Sequence, residues 1–171
     1  QSGNWSEGLT TFMADYAYKE QESSEAALEM RLGWLRDFAA LEPGQDAPLA
    51  DFTSRTHGAS KIVGYNQSAM LFLMLRDELG EEVFNRAIQA FWKLRQFKVT
   101  SWYYLQRSFE MISGRDLRPF FEQWLYYSGA PELHITQTRQ EQIPNGYRLH
   151  LVMEQSEPVY QLRVPIVVQT T

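Results

Sequence analysis

Apolar residues recur at helical spacing along the first three quarters of the chain, and this periodicity limits the possible folds more than any other feature. Spacings of three and four residues place such side chains on one face of an amphipathic helix. The segments with this pattern lie at residues 5–18, 24–41, 66–79, 81–95, 102–112 and 117–125. Pro43-Gly44, Gly80, Gly114 and Gly129 end individual segments, as glycine and proline commonly do after a helix. The pattern predicts a bundle of about six helices.

Two features indicate how these helices are arranged. Residues 69–75 are seven consecutive apolar residues, so the helix over residues 66–79 is expected at the buried centre of the bundle. Asp116 is a candidate N-cap for the last helix, whose apolar face of Phe120, Phe121 and Trp124 is predicted to be core. Residues 42–60 have few periodic apolar positions. Long connections of this kind often carry function, and this one is predicted to be irregular and a possible wall of a site.

The pattern changes after Pro131 from helical spacing to alternation. Residues 133–138 and 147–153 alternate apolar and polar side chains, and residues 159–168 are rich in β-branched residues. Pro144-Asn145-Gly146 and Ser156-Glu157-Pro158 stand where two hairpin turns are required. The sequence therefore predicts a mainly α protein, with a helical subdomain at residues 1–131 and a three-stranded antiparallel β segment at residues 132–171.

Composition excludes several classes of protein. The net charge is −5 over 171 residues, which disfavours a mainly electrostatic nucleic-acid binder. The chain has no Cys, so disulfides, thiolate metal sites and Cys nucleophiles are excluded. The longest apolar run is far shorter than the roughly 20 residues of a membrane span, and no signal peptide is recognisable. We expect a soluble piece of unknown compartment, and the first residue, Gln1, suggests that it is excised or processed.

Self-contained catalytic motifs are not found in the sequence. There is no Gly-rich phosphate loop, no GxSxG motif and no CxxC. His57, His134 and His150 lie in a loop and in two predicted strands, and none has a second His four positions along a helix. They are interpreted as surface or packing residues, although a three-His zinc site stays open at this point.

The first helix carries a family resemblance. Residues 4–12, N-W-S-E-G-L-T-T-F, resemble the W-x-N-E-G-F-A-x-Y helix of the M1 family of zinc metallopeptidases, which are gluzincins similar to membrane alanyl aminopeptidase. In that family the Glu of this motif is the third zinc ligand, and Glu7 takes its position. An HExxH helix about eighteen residues earlier supplies two His ligands and a general base. Only six residues precede Glu7, so the resemblance implies that the HExxH segment lies upstream of Gln1.

A second segment resembles the same family. Residues 63–72, V-G-Y-N-Q-S-A-M-L-F, are similar to the family's Y-x-K-G-A-x-x-L-x-M-L stretch, and Tyr65 falls on the catalytic Tyr. In the family that phenol donates a hydrogen bond to the oxyanion that forms on the scissile carbonyl. The similarity continues through residues 79–84, 113–125 and 129–131. It implies the C-terminal, thermolysin-like helical part of a peptidase catalytic domain.

The chain departs from the family pattern at three points. Ser6 replaces the Asn that precedes the ligand Glu, and Gln67-Ser68 replace Lys-Gly after the Tyr. Because Ser lacks the conformational freedom of Gly, the second change puts the local backbone path in question. The Gly-rich motif that holds the free amino terminus of the substrate is absent, and the resemblance implies that it too lies upstream. Aminopeptidase specificity therefore follows from analogy with the family.

Two hypotheses follow from the sequence. The first is a fragment of a zinc aminopeptidase that acts on peptide substrates, with Glu7 as a zinc ligand and Tyr65 as a catalytic residue. Such a fragment should be inactive alone and should not bind zinc tightly, because a catalytic zinc site needs three protein ligands. The alternative is a non-catalytic helical module or pseudoenzyme that binds a protein or peptide. Either could self-associate through exposed apolar surface.

Overall fold

The computed structural model describes residues 5–42, 44–52 and 58–168. The chain divides into two compact units, Gln1–Gly129 and Ala130–Thr171, so the division falls two residues before the boundary predicted from the sequence. Pro43 and His57 lie outside the described residues. The first unit is helical and the second contains strands, so the fold is mainly α with a small antiparallel sheet.

The described part of the first unit contains six helices, which confirms the predicted number. Two of them, α1 and α3, change from α-helical to π-helical hydrogen bonding and back. The helices are α1 (Trp5–Thr10, π-helical Thr11–Tyr16, Ala17–Glu22), α2 (Ser24–Ala39), α3 (Gly58–Lys61, π-helical Ile62–Gln67, Ser68–Leu79), α4 (Glu81–Arg95), α5 (Trp102–Ser113) and α6 (Arg118–Tyr126). A short 3₁₀ helix, Leu49–Asp51, lies between α2 and α3.

Several boundaries differ from the prediction, since α1 continues to Glu22, α2 ends at Ala39, and the starts of α3 and α6 are also displaced. Helix α3 begins at Gly58, so the described residues from 58 to 60 are helical and not part of an irregular connection. The π-helical turn explains the difference, because it departs from the 3.6-residue period that reveals a helix in the sequence. The N-cap of α6 is Leu117, one residue after the predicted Asp116. Asp116 still accepts a hydrogen bond from the Arg118 backbone N–H, and hydrogen bonds from the Arg118 side chain lower the pKa of Asp116 to about 2.

Aromatic side chains from α1, α3, α4 and α5 form the centre of the core. The Phe12 ring is stacked on Phe72 at 6.3 Å between centroids and meets Phe84 edge-on at 5.4 Å, and Phe84 in turn contacts Phe109 at 5.2 Å. Residues 71–73 and Leu75 are buried, which confirms the central position predicted for the apolar run of α3. Phe121 is buried as predicted, and Phe120 and Trp124 are partly buried against the core.

Polar contacts at the margin of this core join α1, α2 and α3. Tyr16 is fully buried, and its hydroxyl accepts a hydrogen bond from Arg31. Burial raises the pKa of Tyr16. The Arg76 guanidinium lies 5.0 Å from the centre of the Phe12 ring and donates two hydrogen bonds to Glu20, at 2.7 and 2.5 Å. This bidentate ion pair connects α1 with α3, and its two residues are 56 positions apart in the sequence.

The pair of Glu20 and Arg76 predicts an acid-dependent loss of stability. Hydrogen bonds from Arg76 lower the pKa of the Glu20 carboxyl below its usual value of 4.5. A pKa that is lower in the folded state means that the pair stabilises the fold above the unfolded-state pKa, and that this stabilisation is lost as the pH falls through the folded-state pKa. Glu20→Gln should therefore lower the free energy of unfolding by about 1–2 kcal/mol at pH 7 and by much less near pH 3, measured by urea denaturation.

Glu29 provides the matched control, because its ion pair with Arg36 has side chains that are 67% and 66% exposed. Exposed pairs contribute little, so Glu29→Gln should change the free energy of unfolding by less than about 0.5 kcal/mol at either pH. An equal effect of Glu20→Gln at both pH values would show that the Glu20 pair does not carry this pH dependence.

The second unit contains a β-hairpin. Strands β1 (Leu133–Ile143) and β2 (Gly146–Gln155) are antiparallel, with Ile143 opposite Gly146, so Pro144 and Asn145 form the predicted turn. The register shifts between Ile135 and Gln137 at a bulge. Both strands are largely exposed.

The predicted third strand is wrong for the described residues up to 168, because the sheet there has two strands. Pro158 and Pro165 lack the N–H that a strand ladder requires. The Gln155 side chain also takes up both backbone groups of Tyr160, since its Oε1 accepts from the Tyr160 N–H at 2.6 Å and its Nε2 donates to the Tyr160 carbonyl at 3.0 Å. The backbone at Tyr160 is thereby removed from strand pairing.

Candidate functional site

Helices α1 and α3 approach each other closely where they cross. Gly8 is buried there against Ser68, and a Cβ atom at Gly8 would lie 1.9 Å from Ser68 Oγ and 2.8 Å from the Ser68 backbone carbonyl carbon. Only a residue without a Cβ fits at such distances, because real Cβ atoms do not approach other heavy atoms so closely. The first turn of α1 therefore packs directly on the middle of α3.

This crossing brings together the two segments that the sequence analysis singled out. Glu7 precedes Gly8 in α1, and Tyr65 lies three residues before Ser68 in α3. The first turn of α1 contacts both the π-helical and the following α-helical part of α3. Glu7 and Tyr65 are each half-buried, which leaves part of each side chain accessible. The two candidate residues thus flank one helix crossing, although 58 positions separate them in the sequence.

The connection between α2 and α3 packs beside Tyr65. Phe52 is buried and meets the Tyr65 ring edge-on, with 6.4 Å between centroids and an interplanar angle of 90°. A Cβ atom at Gly64 would lie 2.2 Å from the Phe52 ring, so Gly64 makes room for that ring. The connection was predicted as a site wall, and its described end at Phe52 does border Tyr65. Edge-to-face packing of this kind restricts the orientation of a tyrosine ring.

Both π-helical turns lie next to the crossing, and the sequence analysis did not predict either. One begins at Thr11, three residues after Gly8, and the other ends at Gln67, immediately before Ser68. π-helical turns often occur at functional sites, because the additional residue redirects the side chains of one turn. In α3 the π-helical turn includes Tyr65 itself. A local loss of the 3.6-residue period over residues 62–67 is the only signal that the sequence offers for it.

Two amide side chains follow Tyr65 in the same turn, and sequence reasoning gave neither a role. Asn66 is buried and its Nδ2 donates to Asp37 Oδ2 of α2 at 3.1 Å, which connects this turn to a third helix. The Oε1 atom of Gln67 is buried, and no donor in the described part of the chain reaches it. Buried acceptors are normally paired, so Gln67 Oε1 is an exception within the described residues. The hydrogen bond from Asn66 to Asp37 helps to fix the turn that carries Tyr65.

The described residues do not form a metal site by themselves. Within residues 5–42, 44–52 and 58–168, no three His, Cys, Asp or Glu side chains cluster in a way that could hold a metal ion. His134 and His150 lie on the β-hairpin and are exposed. The Nε2 atom of His134 is 3.2 Å from Glu132 Oε1, and the Nε2 atom of His150 is 3.6 Å from Glu141 Oε2. Glu7 has the chemistry of a zinc ligand, but a catalytic zinc site takes three protein ligands. Glu7 can supply one of them.

Comparisons with known proteins do not identify a family for this chain. A scan against protein-family models finds no match, and a search of curated proteins finds none either. Among the described residues, no helix combines the length and the apolar character needed to cross a bilayer. The interpretation of the site rests on its residues and their packing.

Proposed function

We propose that the chain is the helical part of a zinc-dependent aminopeptidase of the M1 type. The observation that supports this proposal is the contact of Gly8 with Ser68, because the segments that contain Glu7 and Tyr65 meet at that helix crossing. Their residue types and order also match the family segments described above. A carboxylate and a phenol are the groups that such a peptidase requires from this region.

In this proposal Glu7 is the third zinc ligand. Its carboxylate is half-buried on the first turn of α1, and the packing of Gly8 fixes the backbone that carries it. Zinc in such a site acts as a Lewis acid and lowers the pKa of a bound water. The two remaining ligands would be the His residues of an HExxH segment upstream in the parent protein, since the described residues provide no such pair.

Tyr65 is the proposed donor to the substrate. Its hydroxyl would donate a hydrogen bond to the carbonyl oxygen of the scissile peptide bond as negative charge develops there. One well-oriented donor of this kind contributes about 3 kcal/mol to transition-state stabilisation, because its dipole is already oriented before the reaction. The edge-on contact with Phe52 and the Asn66–Asp37 hydrogen bond both support that orientation.

The test compares this chain with a form extended at its amino terminus through an HExxH segment. We expect stoichiometric zinc and hydrolysis of an alanyl arylamide in the extended form only, because a single carboxylate does not bind catalytic zinc tightly. Glu7→Gln in the extended form should remove both bound zinc and hydrolysis. Glu82→Gln is the matched control, because Glu82 is an exposed acid in the first turn of α4, and it should change neither.

Two results would contradict the proposal. One is a folded extended form that binds no zinc and hydrolyses no arylamide. The other is zinc-dependent turnover by the 171-residue chain alone, since this would place the complete site within the chain.

A cleft in the helical unit favours the alternative, a non-catalytic module that binds peptides. The cleft has a volume of about 310 Å³ and lies between α1 and α4, beside Arg76. The ion pair of Glu20 with Arg76 lines it together with Glu81, Phe12 and Phe84. A basic side chain with an apolar stem would meet the carboxylate of Glu81 there. An extended form without zinc and without activity that still binds a lysine-containing peptide would support this alternative.

A further inference from the structure

An exposed apolar turn connects α4 and α5. Trp92, Phe97, Val99 and Tyr103 are 62%, 101%, 94% and 61% exposed. We call residues 92–103 the aromatic tip. Exposures of 101% and 94% mean that no described part of the chain covers Phe97 or Val99, so these side chains project from the surface. Large apolar side chains that project together are unusual on a protein surface and mark a site of interaction.

The backbone of the tip is ordered by several contacts. Phe97 has a φ of +63°, a conformation that is rare for a bulky residue and that persists where the surroundings enforce it. The Lys98 N–H donates to the Arg95 carbonyl at 3.0 Å, and the Arg95 guanidinium donates to the Val99 carbonyl. The same guanidinium lies 3.5 Å from the centre of the Tyr104 ring. These contacts therefore hold the backbone of the turn in one conformation, from which the Phe97 side chain extends into solvent.

The charge around the tip is opposite in sign to that of the whole chain. Residues 83–109 contain five Lys and Arg and no Asp or Glu, whereas the chain has a net charge of −5. Lys93 and Lys98 flank the exposed rings, and both are exposed. A partner that contacts this surface thus meets both positive charge and exposed apolar side chains. Charge complementarity requires an anionic partner with an apolar interior.

We propose that the aromatic tip docks on an anionic lipid bilayer. Trp and Tyr rings favour the headgroup region, and Phe and Val side chains enter the acyl boundary just below it. Lys side chains reach back toward acidic headgroups while their methylene stems stay in apolar surroundings. A projecting tip suits the planar surface of a bilayer better than a protein groove, which would require an extended partner segment. This inference is independent of the proposed peptidase function.

Co-sedimentation of the 171-residue chain with lipid vesicles tests the proposal. We expect binding to phosphatidylcholine vesicles that contain about 30% phosphatidylserine, weakening as salt is added, and little binding to phosphatidylcholine alone. Phe97→Asn should reduce the affinity for these vesicles about tenfold, because the variant loses the aromatic ring that is proposed to enter the acyl boundary. Asn tolerates a positive φ, so the turn should keep its conformation. The double variant Lys93→Gln/Lys98→Gln should lose at least about tenfold.

Matched controls separate the tip from general exposure and charge. Tyr18→Ala removes an aromatic ring that is 72% exposed on α1, and Lys61→Gln/Arg139→Gln removes the same charge as the tip variant from exposed positions outside residues 83–109. Both controls should bind vesicles within about twofold of the unchanged chain. Absence of binding to anionic vesicles at low salt would overturn the proposal. Equal losses in tip and control variants would also overturn it, as would self-association through Phe97 without vesicle binding.

Discussion

Replacing Gly8 by alanine is expected to lower the free energy of unfolding of the helical unit by about 3 kcal/mol. The new Cβ would lie 1.9 Å from Ser68 Oγ and 2.8 Å from the Ser68 carbonyl carbon, so the backbones of α1 and α3 must separate. Overpacking in a core costs about 1–3 kcal/mol and occasionally more. We expect this cost to exceed the roughly 1 kcal/mol by which alanine stabilises a helix relative to glycine. Urea denaturation followed by circular dichroism at helical wavelengths measures the change.

Gly33 provides the matched control for this prediction. It lies within α2, and a Cβ atom there would meet only the end of the Arg36 side chain, at 4.0 Å. Gly33→Ala should therefore leave the stability unchanged or raise it by up to about 1 kcal/mol. In the background of Gly8→Ala, Ser68→Gly should recover part of the loss, because it removes two of the three clashing atoms. If Gly8→Ala and Gly33→Ala had the same effect, the close approach of α1 and α3 would be wrong.

Changing Tyr65 to phenylalanine is expected to lower kcat of the extended, zinc-containing protein by about 100-fold to 1,000-fold, with little change in KM. The hydroxyl is the only group removed, and under the proposed function it donates to a charge that exists only in the transition state. The ring remains in its edge-on contact with Phe52, so the fold is retained. Steady-state kinetics with an alanyl arylamide, together with the zinc content, tests the expectation.

Tyr18→Phe is the control for this variant, since Tyr18 lies on the surface of α1 and is 72% exposed. It should leave kcat and KM unchanged. Bound zinc should be stoichiometric in both variants, because neither removes a metal ligand. A Tyr65→Phe protein that retains zinc and keeps kcat within about twofold of the unchanged protein would exclude Tyr65 as the oxyanion donor.

The sequence predicted the helices well where their packing faces were regular. Helices α4 and α5 have apolar residues at repeated spacings of three and four, and the described bounds agree closely with the prediction. The start of α3 was missed because its π-helical turn interrupts that period. The third strand was predicted from β-branched residues and a candidate turn at residues 156–158. Strand pairing also needs backbone groups that can join the sheet, and the prolines lack the donor while Gln155 binds the backbone of Tyr160.

The candidate site shows the same division. Glu7 and Tyr65 were singled out by local motifs. Phe52 lies outside those motifs, and although Asn66 and Gln67 follow Tyr65 within one of them, nothing local predicts their buried contacts. Their roles depend on which helices meet, and Phe52 contacts Tyr65 from a segment that has little periodicity. The sequence also does not predict the exposure of Phe97, because a large aromatic residue is normally expected to be buried.

The sequence by itself determined the mainly helical class, the number of helices and the hairpin with its Pro-Asn turn. These features follow from periodicity and turn chemistry, which act over a few neighbouring residues. Only the tertiary structure decided that Gly8 packs on Ser68, that Glu20 pairs with Arg76, and that the tip stays exposed. Each of these depends on where distant parts of the chain meet, or fail to meet, and burial and pairing across such distances are set by the whole fold.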